Sequence, residues 1–142
     1  MEKNINYRAS TLFPIFQKEG ITNRLNFLSY WKFKNKLENV LMQLSFRDKE
    51  GNLVNYKEIE ILGDPRSYDL NLNDYIDPEI NSTSKGFTSY VEVEVFFEKE
   101  PFFTFPALVY TLNNNASTSA IHSGLRCYNP SEKIPKEIYE TS

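Results

Sequence analysis

The chain has 142 residues and carries 19 acidic against 16 basic side chains, a formal net charge of −3. The length suits one domain with one core, and the glycine and proline content is too low for a disordered or collagen-like chain. The charges are dispersed rather than gathered into a basic patch, no apolar run is long enough for a membrane span, and the start lacks a secretory signal. We expect a soluble, cytoplasmic domain, 1–142, that binds neither nucleic acid nor membrane.

The first part of the chain alternates apolar and polar residues with period 2, the pattern of half-buried strands. A first strand is predicted over 7–16, and residues 25–33 alternate in the same way. Helical spacing is also present in this region, at Phe33, Leu37, Val40, Leu41 and Leu44. The abundance of aromatic residues and the β character of the flanking segments favour strands. One helix within 25–46 remains the alternative.

A β-hairpin is predicted next. Residues 40–47 and 53–61 are rich in strand-forming residues, and 48–52 between them supply turn chemistry. Gly51 can take the positive φ that such a turn needs.

Residues 63–86 form the longest polar interval and are predicted as a loop that holds one short strand over 68–72. A calcium-like pattern, D-x-N-x-N, begins at Asp69, but Asp74 stands where an EF-hand loop requires glycine. We therefore predict no metal and no cofactor. An irregular calcium site at Asp69, Asp74 and Asp77 is the remaining alternative.

The clearest strand is 87–97. Val91, Val93 and Val95 share one face, which we assign to the core, while Glu92 and Glu94 share the other, which we expect to face water. The regular placement of glutamates between valines does not fit a helix.

Two further strands are predicted toward the end of the chain. One covers 101–112, where Pro101 and Pro106 remove ladder donors and indicate an edge strand or a bulge. The last covers 119–128, and the polar residues 130–142 are expected to form a peripheral tail.

Seven or eight short strands in one chain of this size predict an all-β fold, an antiparallel β-sandwich. A small β-barrel is the nearest alternative, followed by a sandwich with one helix in 25–46.

The last predicted strand carries the candidate binding residues. Counting by twos places His122, Gly124, Arg126 and Tyr128 on one face, where glycine leaves room for a ligand beside a cation, an imidazole and a phenol. The strand predicted at 25–33 has a comparable polar face. If both strands belong to one sheet, they make a ligand-binding surface from His122, Arg126, Tyr128, Arg24, Asn26, Tyr30 and Lys32.

These residues favour a non-enzymatic binding module for a carbohydrate-like or small anionic ligand. The alternative is a structural or interaction subunit that self-associates through aromatic sheet faces or an edge strand. An enzyme with His122 as general acid or base is the least favoured reading, and we predict no catalytic residue. Cys127 lies five positions after His122 on one predicted strand, so the two side chains point to opposite faces. Because Cys127 shares its face with Ile121 and Leu125, we expect a buried, unreactive thiol.

Overall fold

A computed structural model describes residues 7–29, 32, 36–37, 39–61, 67–76, 87–98, 107–124 and 126–128, with only the backbone at 87–88, 123–124 and 126–128. A 3-10 helix, Leu72–Tyr75, lies among them. Nine strands occur in these ranges: β1 (Tyr7–Gln17), β2 (Thr22–Leu28), β3 (Val40–Arg47), β4 (Leu53–Glu60), β5 (Ser67–Asn71), β6 (Phe87–Phe97), β7 (Ala107–Asn113), β8 (Thr118–Gly124) and β9 (Arg126–Tyr128).

The strands form two antiparallel sheets packed face to face. The five-stranded sheet has the order β4-β3-β6-β1-β9, and the four-stranded sheet has the order β5-β2-β7-β8. Each sheet has an inner face toward the other sheet and an outer face away from it. The predicted all-β antiparallel sandwich is confirmed. The barrel alternative is wrong, since the strands in the described ranges form two separate sheets.

The core lies between the inner faces. Val91, Val93 and Val95 of β6 are fully buried there, as the alternation predicted, and share one cluster with Leu25 and Leu108 of the four-stranded sheet. Each such side chain contributes about 1.5–3 kcal/mol relative to leaving it exposed. The core is therefore the main source of stability, and it sets the two sheets in fixed relative positions.

The region with two alternatives, 25–46, begins and ends in strands. β2 covers its start and β3 its end, so a continuous helix is wrong. Lys32 lies between them and is not on a polar sheet face with Arg24. It is buried, and its Nζ donates to the carbonyl of Ile61 at 2.6 Å.

The predicted hairpin is β3 and β4. The Asp48 carboxylate accepts from the backbone N–H of Asn52 at 2.9 Å and of Glu50 at 3.0 Å, and these bonds hold the pKa of Asp48 below its ordinary value. Gly51 has φ 90°, the left-handed conformation that glycine adopts without steric cost.

Two strand predictions need correction. β7 is not an edge strand, because it lies between β2 and β8. It begins at Ala107, after both prolines, so its ladder keeps its donors. The predicted strand 119–128 is two strands in different sheets, β8 and β9. The short strand expected within 63–86 is β5, with Leu72 starting the 3-10 helix instead of ending the strand.

The tail at 130–142 lies outside the described residues. Within the described ranges, no helix is both long and apolar enough to cross a bilayer.

Candidate functional site

The outer face of the four-stranded sheet carries a row of side chains from all four of its strands. Asn26 of β2 stands opposite Asp69 of β5 on one side and Val109 of β7 on the other, and Val109 stands opposite His122 of β8. Residues directly opposite each other in an antiparallel pair share a face. The strand order therefore places an acid, an amide, an apolar side chain and an imidazole in one line across the sheet.

A shallow depression lies over this row. Its volume is about 310 Å³, at the lower end of the range typical of small-molecule sites. Apolar side chains make up most of its lining, and Leu28 is 56 % exposed there. The lining residues are Asn26, Phe27, Leu28, Ser67, Tyr68, Asp69, Ala107, Val109 and His122.

One ion pair lies at the rim. Arg24 Nη1 donates to both carboxylate oxygens of Asp69 at 3.2 Å. The two side chains are 38 % and 58 % exposed, so solvent weakens the pair and it adds little to stability. The pair neutralises the one cation that β2 contributes to this face.

Beneath the depression, the rings of Phe27 and Tyr68 stack with their centroids 4.7 Å apart and their planes 6° from parallel. These two residues stand opposite each other on β2 and β5. Their contact stabilises the pairing of the two strands that carry Asn26 and Asp69, so the polar rim has a rigid support.

The structure brings together only some of the predicted binding residues. Arg24 and His122 lie on the outer face of the same sheet, with β7 between their strands. Arg126 and Tyr128 lie on β9 in the five-stranded sheet, opposite Ser10 and Arg8. The prediction of one face shared by 120–128 is wrong because counting by twos assumes an uninterrupted strand, and the chain changes sheets after Gly124. Tyr30 lies outside the described residues.

The outer face of the five-stranded sheet holds a charged cluster that sequence reasoning missed. Glu94 is 2 % exposed, and Arg8 Nε donates to its Oε2 at 2.6 Å. Glu92 is half-buried, with Arg47 Nη2 3.9 Å from its Oε1. Burial, followed by the negative charge of Glu94, raises the pKa of Glu92 above its ordinary value. The expectation that both glutamates face water is wrong.

Both neighbouring strands of β6 place residues beside these glutamates. Gln43 and Ser45 of β3 stand opposite them on one side, and Ser10 and Leu12 of β1 stand opposite them on the other. The side chain of Arg8, also on β1, reaches Glu94. Ser45 is 1 % exposed. Alternation within 87–97 carries no information about this, because a glutamate between valines has the same pattern beside water or beside an arginine.

A second polar cluster is structural. Asn23 is fully buried, its Oδ1 accepts from the backbone N–H of Phe16 at 3.1 Å, and its Nδ2 donates to the carbonyl of Phe16 at 2.9 Å. The hydroxyl of Tyr110 also donates to this Oδ1, and burial raises the pKa of Tyr110 to about 12. Nδ2 further donates to Asn73 at 3.0 Å. The cluster ties β1 of one sheet to β2 and β7 of the other.

An apolar depression of about 300 Å³ is lined by residues of β1, β7 and β8. Ile121, at 51 % exposure, lies at this opening. The lining residues are Pro14, Ile15, Phe16, Tyr110, Leu112, Ser119 and Ile121.

Among the residues whose placement is described, no group of three or more His, Cys, Asp or Glu side chains is arranged to hold a metal ion. Comparison of the chain with protein-family models, with curated protein sequences and with solved structures found no match. The fold and the outer face of the four-stranded sheet thus define a β-sandwich with an open, polar-rimmed depression.

Proposed function

We propose that this protein is a non-enzymatic binding module that takes a carbohydrate-like ligand on the outer face of the four-stranded sheet. The observation that carries the proposal is the depression of about 310 Å³ with Asn26, Asp69 and His122 around it. Ligand sites combine an apolar lining with a few polar groups that fix orientation, and this depression has that composition.

The chemistry of the rim suits hydroxyl groups. The Asn26 amide can donate and accept hydrogen bonds, and the Asp69 carboxylate can accept them. An uncharged imidazole, as in His122, donates a hydrogen bond from one ring nitrogen and accepts one at the other. Val109 and Leu28 provide apolar surface for the C–H side of a sugar ring. The row from Asp69 to His122 crosses three strand spacings, roughly 14 Å, which matches one or two sugar rings.

A neutral sugar fits this face better than a small anion. Arg24 is already paired with Asp69, and Arg126 belongs to the other sheet. The same spacing of roughly 14 Å keeps Asp69 too far from His122 for the hydrogen bond that an acid–base pair needs, which argues against an enzyme.

The test is a panel of neutral mono- and disaccharides, acidic sugars and small inorganic anions, read by thermal shift and calorimetry. A hundredfold excess over Kd stabilises the fold by about 2.7 kcal/mol, so we expect neutral sugars to raise the melting temperature. Asn26→Ala and His122→Ala should each weaken binding about tenfold, as expected for a lost hydrogen bond of about 1.4 kcal/mol.

Lys57→Ala is the matched control, since Lys57 is exposed on β4 in the other sheet. It should leave affinity unchanged. A response to inorganic anions alone would favour the anion-binding alternative, and a panel without any response would contradict the proposal.

Self-association is the second candidate, favoured by the exposed apolar residues of β4. Leu53 and Val54 are 55 % and 62 % exposed at this edge of the five-stranded sheet. The edge is partly blocked, because Asn55 Oδ1 accepts from the backbone N–H of Tyr56 at 2.8 Å. Light scattering of the protein and of Val54→Lys tests this candidate. A dimer that dissociates in the variant would support it, and a monomeric parent protein would exclude it.

A further inference from the structure

Glu92 and Glu94 occupy successive outward positions of β6, so their side chains lie next to each other on the outer face of the sheet. Oε2 of Glu94 accepts from Arg8 at 2.6 Å, whereas its Oε1 is buried without a hydrogen-bond partner. Oε1 of Glu92 is buried without a partner as well. Two acceptor oxygens on neighbouring acids are therefore enclosed together. An unsatisfied buried acceptor costs about 1–3 kcal/mol, so such an arrangement calls for a donor.

The charges around the two carboxyl groups come from every adjoining strand. β1 contributes Arg8, which is bonded to Glu94, and β3 contributes Arg47, whose Nη2 lies 3.9 Å from Glu92, beyond hydrogen-bond distance. β4 contributes Tyr56, whose hydroxyl donates to Glu58. On the far side of β1, the backbone of β9 places Arg126 opposite Ser10. Glu94 thus has a closely bonded cation, while Glu92 has only a distant one.

We propose that Glu92 and Glu94 share a single proton in the folded protein and that this shared proton makes the outer face of the five-stranded sheet sensitive to pH. Glu92 is the carboxylic acid and donates to the Glu94 carboxylate, which keeps its bond to Arg8. One proton supplies the missing donor and removes the repulsion between two like charges. A bound metal cation in place of this proton is disfavoured, because the neighbouring Arg8 and Arg47 are positively charged.

The pH dependence has a defined sign. The pKa of Glu92 is raised in the folded protein, by burial first and by the charge of Glu94 second, while Arg47 and Arg8 oppose the shift. The stability that this group contributes is fully present below the ordinary glutamate pKa of 4.5. It is lost as pH rises through the raised pKa. The ionised Glu92, with its side chain 23 % exposed, then turns toward solvent.

The experiment measures urea unfolding from below pH 4.5 to about pH 8 for the parent protein, Glu92→Gln and Glu60→Gln. Glu60 is an exposed glutamate on β4 of the same sheet, so its replacement corrects for the loss of one carboxylate. Each unit by which the folded pKa of Glu92 is raised makes the folding equilibrium constant about tenfold smaller above that pKa. We expect Glu92→Gln to lose this dependence and to be more stable than the parent protein at about pH 8.

Carbon-13 NMR of the glutamate carboxyl groups in the parent protein gives an independent readout that needs no variant to fold. The Glu92 carboxyl group should keep the shared proton above the ordinary glutamate pKa of 4.5, because burial and the charge of Glu94 raise its pKa. An ordinary glutamate titration of Glu92 would overturn the proposal. So would an unfolding profile in which Glu92→Gln and Glu60→Gln have the same pH dependence.

Discussion

The outer faces of the two sheets carry similar residues, but one face buries them and the other leaves them exposed to solvent. Each has an arginine paired with an acid from a neighbouring strand. Arg8 Nε lies 2.6 Å from Glu94 Oε2, and the two side chains are 7 % and 2 % exposed. Arg24 Nη1 lies 3.2 Å from Asp69 Oδ1, and these side chains are 38 % and 58 % exposed. The first pair is enclosed where charges interact strongly, and the second is screened by water.

Position within the sheet accounts for the difference. Glu94 lies on β6, the middle strand of five, with β3 and β1 beside it. Asp69 lies on β5, an edge strand of the four-stranded sheet. An acid on a middle strand is surrounded by long side chains from both neighbours, whereas an acid on an edge strand has one neighbour and open solvent. The outer face of the five-stranded sheet is therefore enclosed at Glu94, and that of the four-stranded sheet is open at Asp69, where we propose that a ligand binds.

Val93→Asp is expected to lower the free energy of unfolding more than any other substitution considered, and the smaller effects below are compared with it. Val93 is fully buried in the core, and a carboxylate there has no partner. Burying it costs several kcal/mol or forces protonation, a large part of the 5–15 kcal/mol that a domain typically has. We expect loss of soluble, folded protein in expression and thermal-melt measurements.

Ala120→Asp is the matched control for that substitution. Ala120 is exposed on β8, and the same new charge there should change stability by about 0.5 kcal/mol or less. An equal loss of stability in both variants would mean that the outer face of the four-stranded sheet is enclosed too. The contrast between the two outer faces would then be wrong.

Glu94→Ala tests the enclosed ion pair. It leaves the buried guanidinium of Arg8 without its carboxylate, and removing one member of a buried pair costs about 3–5 kcal/mol. Urea unfolding should show this loss, while Glu60→Ala, at an exposed position of the same sheet, should stay within about 0.5 kcal/mol. A loss below about 1 kcal/mol for Glu94→Ala would indicate a pair as solvated as a surface one.

Asp69→Ala is expected to have the smallest effect on stability. The Arg24–Asp69 pair is exposed, so its removal should cost about 1 kcal/mol or less, and the difference should shrink further at about 1 M salt. Under the proposed function the same variant should bind sugar more weakly. A loss of several kcal/mol would contradict the assignment of this face as open.

The candidate site could be predicted from sequence only in part. The alternation pattern predicts His122 and Arg24 on one polar surface, and they lie on the outer face of one sheet. The same pattern predicts Arg126 and Tyr128 on that surface, but the chain changes sheets after Gly124, where the backbone leaves one ladder and joins another. The local sequence indicates only a calcium-like pattern at Asp69, because nothing local shows that β5 pairs with β2.

The sequence by itself determined the all-β character of the chain and the inner face of its clearest strand. Alternation over 87–97 identified Val91, Val93 and Val95 as core residues, because period-2 alternation is a local property of extended chain. Only the tertiary structure decided what lies beside the other face. Arg8 and Glu94 are 86 positions apart, and their contact exists because β1 pairs with β6. Burial of a polar face depends on the strands that flank it, and strand order is set by packing of the whole sandwich rather than by any local pattern.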